Sequence, residues 1–196
     1  MTMTKIKLAP RPFLYPKPAV LVGALVRGRP NFMTIANCGI VGYDPPVVSV
    51  SSFRGHYTNA GIRRAKTFSV NIPSAAMAAV TDFCGLYSGR KTDKSGLFEV
   101  YYGELKTAPL IAACPISLEC RLVRTCKLHD EEVFLGEIVA IWADKKCMTG
   151  GRPDIKKADP LIYSTSDKKY FRIGREIGRA YSIGKRKKPA GRKKGR

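Results

Sequence analysis

The chain is poor in acidic residues, has no closely spaced cysteines and contains no long apolar run, and each shortage removes a class of function. Fifteen Asp and Glu stand against 35 Lys and Arg over 196 residues, a formal net charge of +20. The terminal stretch KRKKPAGRKKGR (185–196) supplies eight of those charges, which leaves the body near +12. Such an imbalance favours anionic partners by raising encounter rates and weak affinity, without naming one. Six cysteines at 38, 84, 114, 120, 126 and 147 include no CxxC, which argues against zinc, iron-sulfur and disulfide frameworks. Buried reduced thiols are the expected state. Cys114, Cys120 and Cys126 would share one face if their segment were a single strand.

The longest uncharged apolar stretch, AVLVGALV (19–26), falls far short of the roughly 20 residues that cross a bilayer, and MTMTKIKLAPRPF lacks the apolar centre of a secretory signal. A cytoplasmic protein without a membrane partner is expected. There is no GxGxxG after a strand and no GxxxxGK[ST], so neither a Rossmann dinucleotide fold nor a P-loop is supported. Neither histidine, His56 or His129, has a sequence neighbour that implies a nucleophile or a metal.

What is present reads mainly as strands. Residues 19–37 form a hairpin around RGRPN; the two prolines of YDPPVVSVSS lead into an alternating strand. TNAGIRRAK (58–66) reads as a short helix capped by Thr58, and PSAAMAAVTDFCGL (73–86) as a second, with Ser74 as an alternative cap. CPISLECRLVRTC and VFLGEIVAIWA form an antiparallel pair across KLHDEE, and LIYSTSDKKYFRIG a last hairpin around Ser166-Asp167. The expected fold is mainly β with inserted helices, one domain over 1–184 followed by a basic tail over 185–196.

The most informative stretch is SVSSFRGHYTNAGI (49–62). A helix start leaves its first N–H groups without partners and carries partial positive charge, so a phosphate fits there when hydroxyls and a guanidinium stand close. Ser51, Ser52, Arg54 and Thr58 are the candidates. The plain alternative is a helix start beside a solvated strand end.

The series NFMTIANCGI, YDPPVVSVSS, HYTNAGI, FSVNIPS, SGRKTDKSG and PLIYSTSDKKYFRIG resembles the flavin reductase-like FMN-binding family, and within it the flavoredoxin-like branch, over about residues 10–178. The resemblance implies a Greek-key, FMN-binding split β-barrel that forms a homodimer with FMN at or near the subunit interface. It implies a phosphate site at Ser51, Ser52, Arg54 and Thr58, with Phe53 among the cofactor-binding residues. Asn31 would lie near the flavin ring, and Thr34, Ile35, Ala36, Asn37 and Cys38 would run along it. Asn37 departs from relatives that carry a bulky aromatic there. Lys94, in the loop that opens with Ser88 and Gly89, would reach the flavin and favour its anionic reduced form. His129 and Tyr163 would approach the ring from the same subunit or its partner.

The implied activity is that of an FMN oxidoreductase fed by NADH, NADPH or a redox protein; such chemistry needs alignment more than an acid-base side chain. An electron carrier with no nicotinamide activity is the alternative. A nucleic-acid binder is the less favoured third reading, because no aromatics are interleaved with the basic tail as stacking platforms. The tail is expected to be a solvated appendage or an electrostatic arm for an acidic redox protein.

Overall fold

The computed structural model describes residues 4–186, so all but the first two positions of the expected tail lie outside the described residues. The main sheet has seven strands: β1 (Val20–Val26), β2 (Arg29–Ile35), β3 (Cys38–Tyr43), β4 (Pro46–Phe53), β5 (Thr67–Ile72), β6 (Ile116–Leu128) and β7 (Glu131–Ala143). Their order is β2-β1-β5-β6-β7-β4-β3, with every neighbouring pair antiparallel. Helix α1 (Tyr57–Ala65) follows β4, and α2 (Ala78–Leu86) follows β5. A small sheet joins Lys17–Pro18 to β8 (Ile162–Ser164) and β9 (Lys169–Phe171), and the Tyr170 hydroxyl ties it to α2 by donating to Asp82 Oδ1 at 2.9 Å. Among the described residues no helix is long and apolar enough to cross a membrane.

The sheet separates two apolar clusters. Val22, Val48, Val50, Ile62, Phe68, Val70 and Phe134 form the centre of the larger one, which draws on strands from across the sheet and on α1. Leu21, Phe32, Cys84, Ile111 and Cys114 form the smaller one beneath α2. The uninterrupted apolar run of β1 follows from this: with clusters on both sides, neither face can be polar. In β4 the alternation is visible instead, with Val48, Val50 and Ser52 buried and the residues between them only partly covered.

Helix α1 buries Thr58, Asn59, Gly61 and Ile62, a single stripe at helical spacing, and ends where Lys66 turns left-handed and donates its N–H to the Ile62 carbonyl. Gly61 lets the helix lie on β1, since a Cβ there would fall 2.5 Å from the Leu25 carbonyl oxygen. Gly61→Ala would normally gain about 1 kcal/mol of helix propensity. Here it is expected to lower stability by about 1–3 kcal/mol through overpacking against backbone, read as a fall in the urea midpoint. A raised midpoint would mean that the helix can back away freely.

Several local expectations change. Thr58 does not cap α1: His56 occupies the N-cap position without a side-chain bond, and the Thr58 hydroxyl is bound elsewhere. Ser74 also makes no capping bond; it bridges to Pro160, and a 3₁₀ turn over Ala75–Met77 precedes α2. The connector KLHDEE shrinks to the two residues His129 and Asp130, because Lys127, Leu128, Glu131 and Glu132 all take part in strand pairing. Likewise only Arg27 and Gly28 turn the first hairpin, while Pro30 and Asn31 belong to β2, an edge strand where a missing N–H is tolerated. The six cysteines are free and four of them are buried, but Cys114 lies before β6 in the smaller cluster while Cys120 belongs to the larger.

Candidate functional site

A cleft of about 300 Å³ opens where three element ends meet. Strand β2 contributes Asn31, Met33 and Thr34; the start of α1 contributes His56, Tyr57 and Thr58; the end of α2 and its following loop contribute Cys84 to Gly89, then Lys94. Phe53 and Gly55 complete the wall. The elements are fixed to one another at the cleft itself. Asn31 Nδ2 donates to Thr58 Oγ1 at 2.7 Å, joining β2 to α1, and the Thr34 hydroxyl donates to the Thr81 carbonyl, joining β2 to α2. Gly89 lies against Asn31 and Tyr57 so closely that no side chain would fit there.

Lys94 is the unusual group. It is 3% exposed, and its Nζ donates to the carbonyls of Phe32 at 3.0 Å and Cys84 at 2.8 Å. Both acceptors have a structural origin: the Phe32 carbonyl belongs to an edge strand, and the Cys84 carbonyl lies in the last turn of α2, where intrahelical donors run out. No carboxylate pairs with the ammonium among the described residues. Burial lowers its pKa from the ordinary lysine value. Opposite, α1 begins without a side-chain cap, which leaves the positive end of the helix beside the cleft.

Burial also lowers the pKa of His56; Glu131 opposes this and the charge of Lys94 adds to it. The Cys84 thiol is pushed up to about 11 by burial, with Lys94 pulling it back in part, so it is protonated at neutral pH. The cleft therefore offers fixed positive charge, backbone donors and an amide-hydroxyl pair, and it holds no pair arranged for nucleophilic catalysis. Its chemistry is that of an anion-holding cofactor site.

Of the residues expected from sequence, Asn31, Thr34, Phe53, Thr58, Ser88, Gly89 and Lys94 are brought together here. Ala36, Asn37, Cys38 and Ser51 line a separate, more apolar hollow of about 580 Å³ beneath the segment Arg11–Pro18. There Lys17 Nζ donates to Asn37 Oδ1 at 3.0 Å, while burial pushes the Cys38 thiol up to about 12. Ile35 is in the larger core cluster.

The hydroxyls of 51 and 52 do not converge with Thr58. Ser52 faces inward and donates to Asn59 Oδ1 at 2.9 Å; Asn59 in turn donates to Glu132, which pairs with Arg63. Ser51 donates to Glu131 Oε2 at 3.2 Å on the other face. Arg54 Nη1 donates to the His129 carbonyl at 3.1 Å, which brings those two residues together at the β6–β7 turn. Tyr163 pairs in register with Lys17 and packs on Tyr170 in the small sheet.

Sequence reasoning missed Met33, His56, Tyr57 and the Cys84–Tyr87 wall. His56 and Tyr57 adjoin Thr58 and were within reach of the helix-start argument. The wall from α2 had no local signal, since it forms where Gly85 of α2 lies against Thr34 of β2, far away in sequence.

Comparison with known proteins identifies the family. Residues 13–172 match the family described as the flavin reductase like domain. Flavoredoxin from Methanosarcina acetivorans shares 45% identity at a TM-score of 0.91, covering 93% of this chain and 98% of that one. Flavoredoxin of Desulfovibrio vulgaris (Miyazaki F) shares 34% at 0.87, covering 92% and 100%. An uncharacterized protein of Aeropyrum pernix is 30% identical over 154 residues, which is 76% of this chain and 58% of that relative, so this chain spans less than two thirds of its length. On the match over residues 13–172, this chain belongs to the flavin reductase-like family of FMN-binding flavoproteins.

Proposed function

We propose that the protein is an FMN-dependent oxidoreductase that accepts electrons from a reduced nicotinamide or a redox protein and passes them to an acceptor. The observation that carries this reading is the buried Lys94 ammonium, without a carboxylate, set across a cleft from an uncapped helix start. Bound FMN supplies the hydride and single-electron chemistry. The chain's own residues bind and orient. The first N–H groups of α1 and the Asn31–Thr58 pair suit the phosphate and ribityl oxygens, Lys94 suits the electron-rich edge of the ring, and Met33, Leu86 and Tyr87 exclude water around it.

Ser52 then acts within the fold, through Asn59 and Glu132, and Arg54 holds the β6–β7 turn. In this reading the fold is a split barrel that works as a homodimer. Edge strand β3 presents Ile40, Val41 and Tyr43 to solvent, an apolar edge that a second copy would cover. His129 and Tyr163, away from the cleft of their own chain, would then be available to the partner's flavin.

The absorbance spectrum of purified protein tests the proposal. Bands near about 370 and 450 nm are expected from bound flavin, with bleaching on anaerobic addition of NADH or NADPH. Thr58→Ala, which leaves Asn31 unpaired, is expected to weaken FMN retention about tenfold, as for one lost hydrogen bond to a charged ligand. A colourless protein that takes up no added FMN would end this reading. A flavin that neither nucleotide reduces would leave a redox protein as the electron donor.

A further inference from the structure

The cleft does not stop at Lys94. Asn31, Tyr57, Gly89 and Lys94 line both it and an adjoining concavity of about 340 Å³. Arg27, Arg29, Arg90 and Lys91 surround that second space, and Asp93 is its single carboxylate. Asp93 is engaged already, by Arg29 at 3.2 Å and by the N–H of Ser95. Arg27, Arg90 and Lys91 have no carboxylate partner among the described residues.

Two placements make this more than a solvated basic rim. Arg27 sits at the first central position of the β1–β2 turn with φ of 52°, followed by Gly28 at 79°. That turn favours Asn or Gly at both positions, and a long side chain is disfavoured in the left-handed region. The hairpin therefore carries an arginine where local preference is against it. Arg90 is positioned by Tyr57, the first residue of α1, with its guanidinium 5.7 Å from the ring centroid.

We propose that this concavity receives the 2′-phosphate of a nicotinamide dinucleotide, so that the protein uses NADPH in preference to NADH. The inference rests on the flavin reading above. A phosphate monoester carries close to two negative charges at neutral pH and suits paired guanidinium groups. NADH brings no such group, and the cations would stay unpaired with it bound. The space is concave and continuous with the flavin cleft, so a dinucleotide whose nicotinamide reaches the ring can leave its adenylate end among Arg27, Arg90 and Lys91.

The test begins with FMN content, then titrates 2′,5′-ADP and 5′-AMP into FMN-loaded protein by calorimetry at low salt, for the wild type and for Arg27→Ala/Arg90→Ala. The expected result is binding of 2′,5′-ADP at least about tenfold tighter than 5′-AMP, the scale of one charge-assisted contact. The double variant should erase that difference while keeping its FMN, and the NADPH-to-NADH ratio of kcat/KM should fall with it. Equal affinities in the wild type overturn the inference and leave the flavin reading intact. Loss of FMN from the double variant also overturns it, because the arginines then hold the flavin's own phosphate. A wild type that binds no FMN overturns the flavin reading itself, and this inference with it.

Discussion

Lys94→Met protein is expected to keep less than about a tenth of the wild-type FMN after gel filtration, the effect of one lost charge-assisted contact of about 1.5–3 kcal/mol. Methionine matches the lysine in length and apolar bulk, so the variant removes charge with little change in volume. It also removes two bonds within the protein, to the carbonyls of Phe32 and Cys84, so a fall in Tm should accompany the flavin loss. The pH dependence separates the two roles. Burial lowers the ammonium pKa when no anion is near, and an anionic ligand raises it again. FMN affinity should therefore fall as alkaline pH passes the lowered value, and this slope should vanish in Lys94→Met. A variant that melts lower yet keeps its full FMN would leave Lys94 as a tie between β2 and α2 and nothing more.

Many of the strand positions were legible because they are written in local period. The alternation of VVSVSS, the prolines before it, and the paired runs around His129 all specify strands whatever they pack against. The same period contained a warning about the site. Adjacent residues of a strand point to opposite faces, so Ser51 and Ser52 could not both join one row of hydroxyls, and the structure separates them accordingly. Thr58 was singled out as a helix cap, a local reason that does not hold, although it does line the cleft. Its hydroxyl is taken by Asn31, 27 positions earlier, a pairing that no helix-start rule contains.

The least legible parts depend on edges and ends created by the tertiary fold. Lys94 sits in a polar loop sequence and reads as solvated; its burial follows from an edge-strand carbonyl and a helix-end carbonyl that meet there. The crossover between α2 and β6 has weak periodicity, yet Ala108, Leu110 and Ile111 are fully buried within it. Its position is fixed by polar contacts from the sheet: Ile111 N–H donates to Asn71 Oδ1 at 2.9 Å, and the Ser69 hydroxyl donates to the Pro109 carbonyl. The sheet face that receives this crossover is thus partly polar by construction.

Glu119 is the extreme case of that arrangement and the source of the largest expected change in stability. It lies on β6 at 0% exposure, with no cation paired to it among the described residues. Three N–H donors hold it: Glu104 at 3.0 Å and Trp142 Nε1 at 2.8 Å on Oε2, and Leu105 at 3.1 Å on Oε1. The carboxylate thus fastens the crossover backbone and the far end of β7 to one point of the sheet. Glu119→Ala would leave three donors facing a cavity. Water entering from the crossover side can satisfy some of them, so the loss should be smaller than three full penalties, about 3–5 kcal/mol. Glu119→Gln keeps the shape and one acceptor but turns an NH₂ group toward donors, with an expected loss of about 1–3 kcal/mol. Urea unfolding gives the size of each effect, and hydrogen exchange at the amides of Glu104 and Leu105 gives its location. If Glu119→Ala lost less than about 1 kcal/mol and those amides stayed protected, the crossover would be held by its apolar residues alone. Loss of protection in both variants, graded with stability, would instead make the buried carboxylate the fastening of the crossover.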